Sequence, residues 1–203
     1  MYGEIYMLYI MLFRYISIKL QRTIMKKIFV IIAMIFAISA NAQITKAKLT
    51  ASGLTCSMCS KAIYTALQKV NSIETIKANI KESSYTIVFK KDATVNPDEI
   101  KKTVEDAGFF VAQLQLTMNF DNVEIKNDEH VSADGLNLHF LNVQPQTLSG
   151  EKVVTLLDKN YEPAKEYKKY TSYTTMKCFT TGVMEDCCND KNMTGKRIYH
   201  VTI

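Results

Sequence analysis

The chain has 203 residues, of which 47% are hydrophobic and 22% are charged, and its formal net charge is +5. This composition is ordinary for a globular protein and allows one or two small domains with real cores. The lysines are scattered and form no dense basic run, so the charge does not indicate a nucleic-acid partner.

The N-terminal segment carries the pattern of a targeting sequence. Residues 25–27 are a short positive start, residues 28–38 are an apolar core, and residues 40–42 form a small-x-small cleavage site. The apolar core is too short to span a bilayer comfortably. We therefore expect residues 25–42 to be a signal peptide, the mature chain to begin at Gln43, and the protein to be periplasmic or secreted.

Residues 1–24 leave two alternatives open. The first twenty residues are apolar and aromatic, but Glu4, Arg14 and Lys19 interrupt them. Either the start was assigned too early and Met25 is the true first residue, or this segment anchors the exported protein in a membrane. In both alternatives the chain is exported, and any contact with a membrane is made through this segment only.

Two cysteines three positions apart lie between a predicted strand and a predicted helix. From Ile44 apolar and polar residues alternate, which is typical of a half-buried strand, and after Cys59 apolar residues recur at helical spacing. A thiolate is the form of cysteine that binds metal, and a helix N-terminus favours the anion through its unpaired N–H groups and its dipole. Soft thiolates select ions such as Cu(I) and Zn(II). Cys56 and Cys59 are therefore the predicted metal site.

The elements that follow complete a recognisable order. Residues 73–80 and 85–90 predict two strands joined by a turn. Residues 96–99, Asn-Pro-Asp-Glu, predict a helix start, and Gly108 is expected to end that helix. Residues 109–111 open a last strand. The order β-α-β-β-α-β predicts an α+β fold, a ferredoxin-like unit with both helices on one face of an antiparallel sheet.

Several positions in residues 43–114 match the heavy-metal-associated domain, and the stretch resembles that family, which includes copper chaperones, soluble domains of copper-exporting ATPases and periplasmic mercury-binding proteins. The resemblance implies that Cys56 and Cys59 hold the ion in near-linear two-thiolate geometry and pass it to a partner's matching pair by ligand exchange. The matching positions are Gly53, Thr55, Cys56, Cys59, Ile63, Leu67 and Asp106-Ala107-Gly108-Phe109.

Two departures from the family pattern bear on the choice of ion. Leu54 replaces the methionine that usually precedes the threonine, and Phe109 stands where cytosolic chaperones often carry lysine. Two thiolates alone suit the linear preference of Cu(I) and Hg(II), whereas zinc takes four ligands. We expect Cu(I), with Zn(II) or Hg(II) as alternatives, and a metal transporter or another metal-binding protein as the partner.

Residues 115–203 predict a small all-β domain, either a sandwich or a partly open barrel. Short alternating runs are separated by turn signals, and no helix of normal length is predicted. Strands are predicted over residues 113–125, 136–143, 153–157 and 197–203, with a loop over residues 144–150.

A second group of soft donors lies in this half of the chain. One hypothesis is a second Cu(I) site, because thiolate and thioether are natural ligands of that ion. The other hypothesis is a disulfide between Cys178 and either Cys187 or Cys188, two adjacent cysteines that cannot easily bond to each other. The histidines are expected not to be ligands: His130 in a solvated loop, His139 and His200 on strand faces. The donors are Met176, Cys178, Met184, Cys187, Cys188 and Met193.

The sequence shows no Ser/His/Asp order and no phosphate-binding loop, so we do not expect an enzyme. The expected function is metal chaperoning, delivery or sequestration. Two alternatives remain open. One is a thiol–disulfide oxidoreductase accessory, although the C-x-x-C lacks the Gly-Pro and the preceding Trp of thioredoxin-like sites. The other is a docking or sensor module for a metal exporter.

Overall fold

The fold is known from a computed structural model, which describes residues 43–54, 56–185 and 194–203. The predicted signal peptide and the segment before it lie outside the described residues. Within the described part, no helix is both long and apolar enough to cross a membrane. The strands are β1 Gln43–Ser52, β2 Ile73–Asn79, β3 Ser84–Phe89, β4 Phe110–Ile125, β5 Glu129–Ala133, β6 Leu136–Phe140, β7 Gln146–Leu156 and β8 Tyr199–Thr202, and the helices are α1 Ser57–Leu67, α2 Pro97–Asp106, α3 Ala164–Tyr170 and α4 Cys178–Thr181.

The first half of the described chain has the predicted ferredoxin-like order. β1 pairs antiparallel with β3 and with β4, and β2 pairs with β3 at the edge of the sheet. Alternate residues of β1 are buried, as the period-two pattern predicted, and they meet the apolar faces of α1 and α2. This confirms the predicted α+β fold for this part and leaves the loop between β1 and α1 at one end of the sheet.

The second helix begins and ends where its sequence signals predicted. The side chain of Asn96 accepts a hydrogen bond from the backbone N–H of Asp98 at 3.0 Å, and Pro97 is the first helical residue. Gly108 follows the helix with a φ of +87°, a backbone conformation that costs glycine least. These local contacts fix the position of Asp98 in the first turn.

A separate all-β domain over residues 115–203 is not confirmed. β4 runs without interruption through residue 114, pairing with β1 along one edge and with β7 along the other. All the strands form one 8-stranded sheet in the order β2-β3-β1-β4-β7-β8-β6-β5. One apolar core extends from Leu67 of α1 to Leu156 of β7, so burial gives no reason for a break at residue 114.

One further prediction for this half was wrong. The predicted loop over residues 144–150 mostly belongs to β7, which begins at Gln146. Two short helices, α3 and α4, also lie in this half, between β7 and β8, where no helix of normal length was predicted. α3 has seven residues and α4 has four, lengths at which helical periodicity gives little signal.

A polar network fixes the C-terminal strand to the start of α2. The carboxylate of Asp98 accepts hydrogen bonds from Arg197 at 2.8 Å, from the Tyr161 hydroxyl at 2.7 Å and from the Tyr199 hydroxyl at 3.0 Å. Arg197 also donates to Asp158 at 3.1 Å. Burial alone would raise the pKa of Asp98, but the hydrogen bonds from Arg197 and the tyrosines outweigh it and lower that pKa to about 2.

Candidate metal site

The two predicted ligand cysteines are in contact at one end of the sheet. Their Sγ atoms are 3.2 Å apart, which is longer than the ~2.05 Å of a disulfide bond, so no disulfide joins them. Cys56 is exposed and Cys59 is half-buried. The site therefore presents two neighbouring sulfurs to solvent.

The backbone on either side explains this arrangement. Gly53 has a φ of +86°, which lets the chain turn sharply out of β1. Leu54 and Phe109 pack against the core beneath the loop, so both departures from the family pattern still supply apolar support. Cys56 is the N-cap of α1 in extended conformation, and its carbonyl accepts the first helical hydrogen bond, from Ser60 N–H at 3.3 Å.

A buried tyrosine supports the first turn of α1 from below. The hydroxyl of Tyr85 donates toward the Oγ of Ser60 at 3.0 Å and lies 3.2 Å from the carbonyl oxygen of the same residue. Burial raises the pKa of Tyr85, so the phenol keeps its proton and remains a donor. The turn that carries Cys59 is thereby connected to β3 of the sheet.

The surroundings of the sulfurs are apolar and weakly positive. Residues 57–60, the first turn of α1, contain no acidic group that would oppose the positive end of the helix dipole. Met58 and Phe110 are 70% and 69% exposed, so two large apolar residues reach solvent near the cysteine loop. Lys61 follows one turn further along the helix.

The second predicted sulfur group is only partly described. Cys178 and Met184 are buried together with Ile198, and Met176 packs against them. The other members, Cys187, Cys188 and Met193, lie outside the described residues, so both the disulfide and the all-sulfur site stay predictions. The Sγ of Cys178 lies 3.8 Å from His139 Nδ1, so a histidine is part of its surroundings.

The expectations for the histidines were wrong in one respect. His130 belongs to β5 rather than to a loop, and it is half-buried. His130 pairs with His139 across β5 and β6, and His139 pairs with His200 across β6 and β8. The three rings thus lie in one row on one face of the sheet.

Two carboxylates orient this row, the buried Asp158 and the half-buried Asp128. His139 Nε2 is 2.9 Å from Asp128, and His200 Nδ1 is 3.0 Å from Asp158. Burial, together with the neighbouring rings of His200 and His130, lowers the pKa of His139 to about 4 despite the opposing effect of Asp128. His139 is therefore neutral near pH 7. No local pattern predicted the row, because 61 positions separate His139 from His200.

The similarity to known proteins covers about a third of the chain. Residues 48–110 match the family model of the heavy-metal-associated domain. No curated protein matches the chain.

Three solved structures illustrate the similarity. A copper binding domain from HMA7, a P-type ATPase, is 31% identical over 32% of this chain and 86% of that chain, with a TM-score of 0.30. The CopZ metallochaperone is 22% identical over 34% of this chain and 100% of its own, with a TM-score of 0.31. The yeast copper transporter domain CCC2A is 25% identical over 33% of this chain and 90% of that chain, with a TM-score of 0.30.

Proposed function

Because residues 48–110 form a heavy-metal-associated domain, we propose that this protein is an exported, non-catalytic carrier of Cu(I). Cys56 and Cys59 bind the ion, and the protein delivers it to a metal transporter or another metal-binding protein. The observation that carries the proposal is the contact between two solvent-accessible sulfurs at 3.2 Å.

The chemistry of the site supports transfer as well as binding. Thiolates are soft ligands, and Cu(I) prefers them to the oxygen ligands that bind hard cations. Cys56 precedes α1 and is exposed, whereas Cys59 is in the first turn of the helix and half-buried. An incoming thiolate of a partner can therefore approach on the side of Cys56 while Cys59 still holds the ion.

The surface around the sulfurs supports docking of a protein partner. Met58 and Phe110 are both exposed. Phe110 lies at this end of the sheet because it pairs with Ser52, immediately before the cysteine loop. An open groove between α1 and α2 extends from Met58 and is lined by Lys61 and Asp106. Apolar contacts and two signs of charge along this groove are suited to a transient complex in which the ion is exchanged.

A competition titration tests the proposal. The reduced protein is titrated with Cu(I) in the presence of a chelator that competes for the ion, and the same titration is repeated with Zn(II) and Hg(II). We expect one equivalent of Cu(I) to be bound tightly, and the double variant Cys56→Ala/Cys59→Ala to lose this binding. Ser57→Ala, an exposed change between the cysteines, is the matched control and should bind like the wild type. An unchanged affinity in the double variant would refute the assignment.

The same sulfur contact supports a second candidate, a thiol–disulfide oxidoreductase accessory, because two sulfurs at 3.2 Å need little movement to form a bond. An insulin reduction assay separates the two functions. Turnover that depends on Cys56 would favour the redox function, whereas the carrier should show none.

A further inference from the structure

A cluster of nitrogen and sulfur donors lies on the opposite face of the sheet from the main core. Leu138 and Phe140 join that core, so His139 between them points to the other face, where α4 places Cys178. The donor atoms of His130, His139 and Cys178 all lie within 4.8 Å of one another. The cysteine pair at the other site plays no part in this cluster.

The distances in the cluster match those between ligands of one ion. With Zn–S near 2.3 Å and Zn–N near 2.0 Å, a sulfur and a nitrogen bound at tetrahedral angles lie roughly 3.6 Å apart. Cys178 Sγ and His139 Nδ1 are 3.8 Å apart. Two imidazoles on one such ion have ring centres about 5 Å apart by the same geometry. The ring centre of His139 lies 4.3 Å from that of His130 and 5.0 Å from that of His200.

The proton positions leave lone pairs where a metal would need them. A carboxylate only accepts, so the Nε2 of His139 carries the proton shared with Asp128, and its Nδ1 presents a lone pair to Cys178. Asp158 likewise fixes the proton on Nδ1 of His200. Carboxylate–histidine pairs of this kind orient metal-binding imidazoles and raise their basicity.

One atom in this region is otherwise unexplained. The ring of His200 is fully buried, and its Nε2 has no hydrogen-bond partner among the described residues. A buried polar atom without a partner costs roughly 1–3 kcal/mol, so such atoms are rare. The donor atoms of His200 lie outside the group formed by His130, His139 and Cys178, so His200 is a neighbour of the cluster and not one of its ligands.

From these observations we propose that the cluster is a second metal site, which takes one divalent ion of the zinc class and is independent of the cysteine pair. Mixed imidazole and thiolate ligands around a tetrahedron are typical of Zn(II). His130 is half-buried and gives the ion a route from solvent. Met176 and Met184 line the apolar side of the thiol and are not ligands. The ligands are His130, His139 and Cys178, whose donor atoms lie together.

A variant with a single thiol tests the site directly. The chain has five cysteines, and changing the other four, Cys56, Cys59, Cys187 and Cys188, to Ser leaves only Cys178. We expect this variant to bind one equivalent of Zn(II) and to unfold at a higher temperature when the ion is present. With Co(II) in place of Zn(II), a thiolate-to-metal charge-transfer absorption should appear, and it can come only from Cys178.

Two further changes in that background identify the ligands. Cys178→Ser should abolish the charge-transfer absorption. His130→Gln, at a partly exposed position where folding is not at risk, should weaken Zn(II) binding at least ~10-fold, a loss typical even of residues that only support a ligand. Ser132→Ala, an exposed change on the same strand, is the control. The proposal is overturned if the single-thiol variant shows no thiolate absorption with Co(II), or if His130→Gln binds Zn(II) as tightly as its parent.

Discussion

Asp98→Asn tests whether the first turn of α2 holds the C-terminal strand in place. The substitution keeps the shape of the side chain but removes the charge that accepts hydrogen bonds from Arg197, Tyr161 and Tyr199. A pKa lowered from 3.8 to about 2 corresponds to roughly 2.4 kcal/mol in favour of the charged form in the folded state. Because 35% of the side chain is exposed, solvent screening reduces this contribution to about 1–2 kcal/mol.

The sign of the effect defines the pH range to be measured. A carboxyl whose pKa is depressed by folding stabilises the protein above the pKa of the unfolded chain, and this stabilisation is lost as pH falls through the folded value. Urea unfolding of the wild type and of Asp98→Asn should therefore differ by about 1–2 kcal/mol at pH 7. The difference should shrink between about pH 4 and pH 2.

An exposed carboxylate on the same helix is the control. Asp106 pairs with Lys102 at 2.8 Å, but both side chains are largely exposed, so Asp106→Asn should change the free energy of unfolding by less than ~0.5 kcal/mol. If the difference between Asp98→Asn and the wild type stayed constant from pH 7 to pH 2, the charge of Asp98 would not be the source of the stabilisation.

Three more predictions concern other parts of the chain. Since folding lowers the pKa of His139 to about 4, the unfolded chain takes up protons first as pH falls. The metal-free protein should therefore lose about 3 kcal/mol of stability between about pH 6.5 and pH 4. Urea unfolding with a chelator present measures this loss, and His139→Gln should not show it. Tyr85→Phe removes the hydroxyl that supports Ser60 and should cost about 1–2 kcal/mol in thermal unfolding, while a change below ~0.3 kcal/mol would argue against that support. Mass spectrometry of the exported protein should find Gln43 as its first residue, and a mature chain that retains residues 25–42 would contradict the predicted signal peptide.

The parts of the fold predicted from sequence were those with signals close together in the chain. Cys56 and Cys59 are three positions apart, and the strand before them and the helix after them each carry their own periodicity. Asn96 and Gly108 mark the ends of α2 through hydrogen bonds and backbone angles that involve only near neighbours. Such features depend on local geometry, which one stretch of sequence determines.

The features that the sequence did not reveal depend on which distant strands become neighbours. The alternation of β4 predicts a strand with one buried face, but it does not predict that β7 pairs along its second edge. The histidine row exists because β6 and β8 pair in parallel in a register that sets His139 beside His200. Neither residue carries a local sign of that pairing. Strand register is decided by the burial of the whole sheet in a common core, so only the tertiary structure brought these donors together.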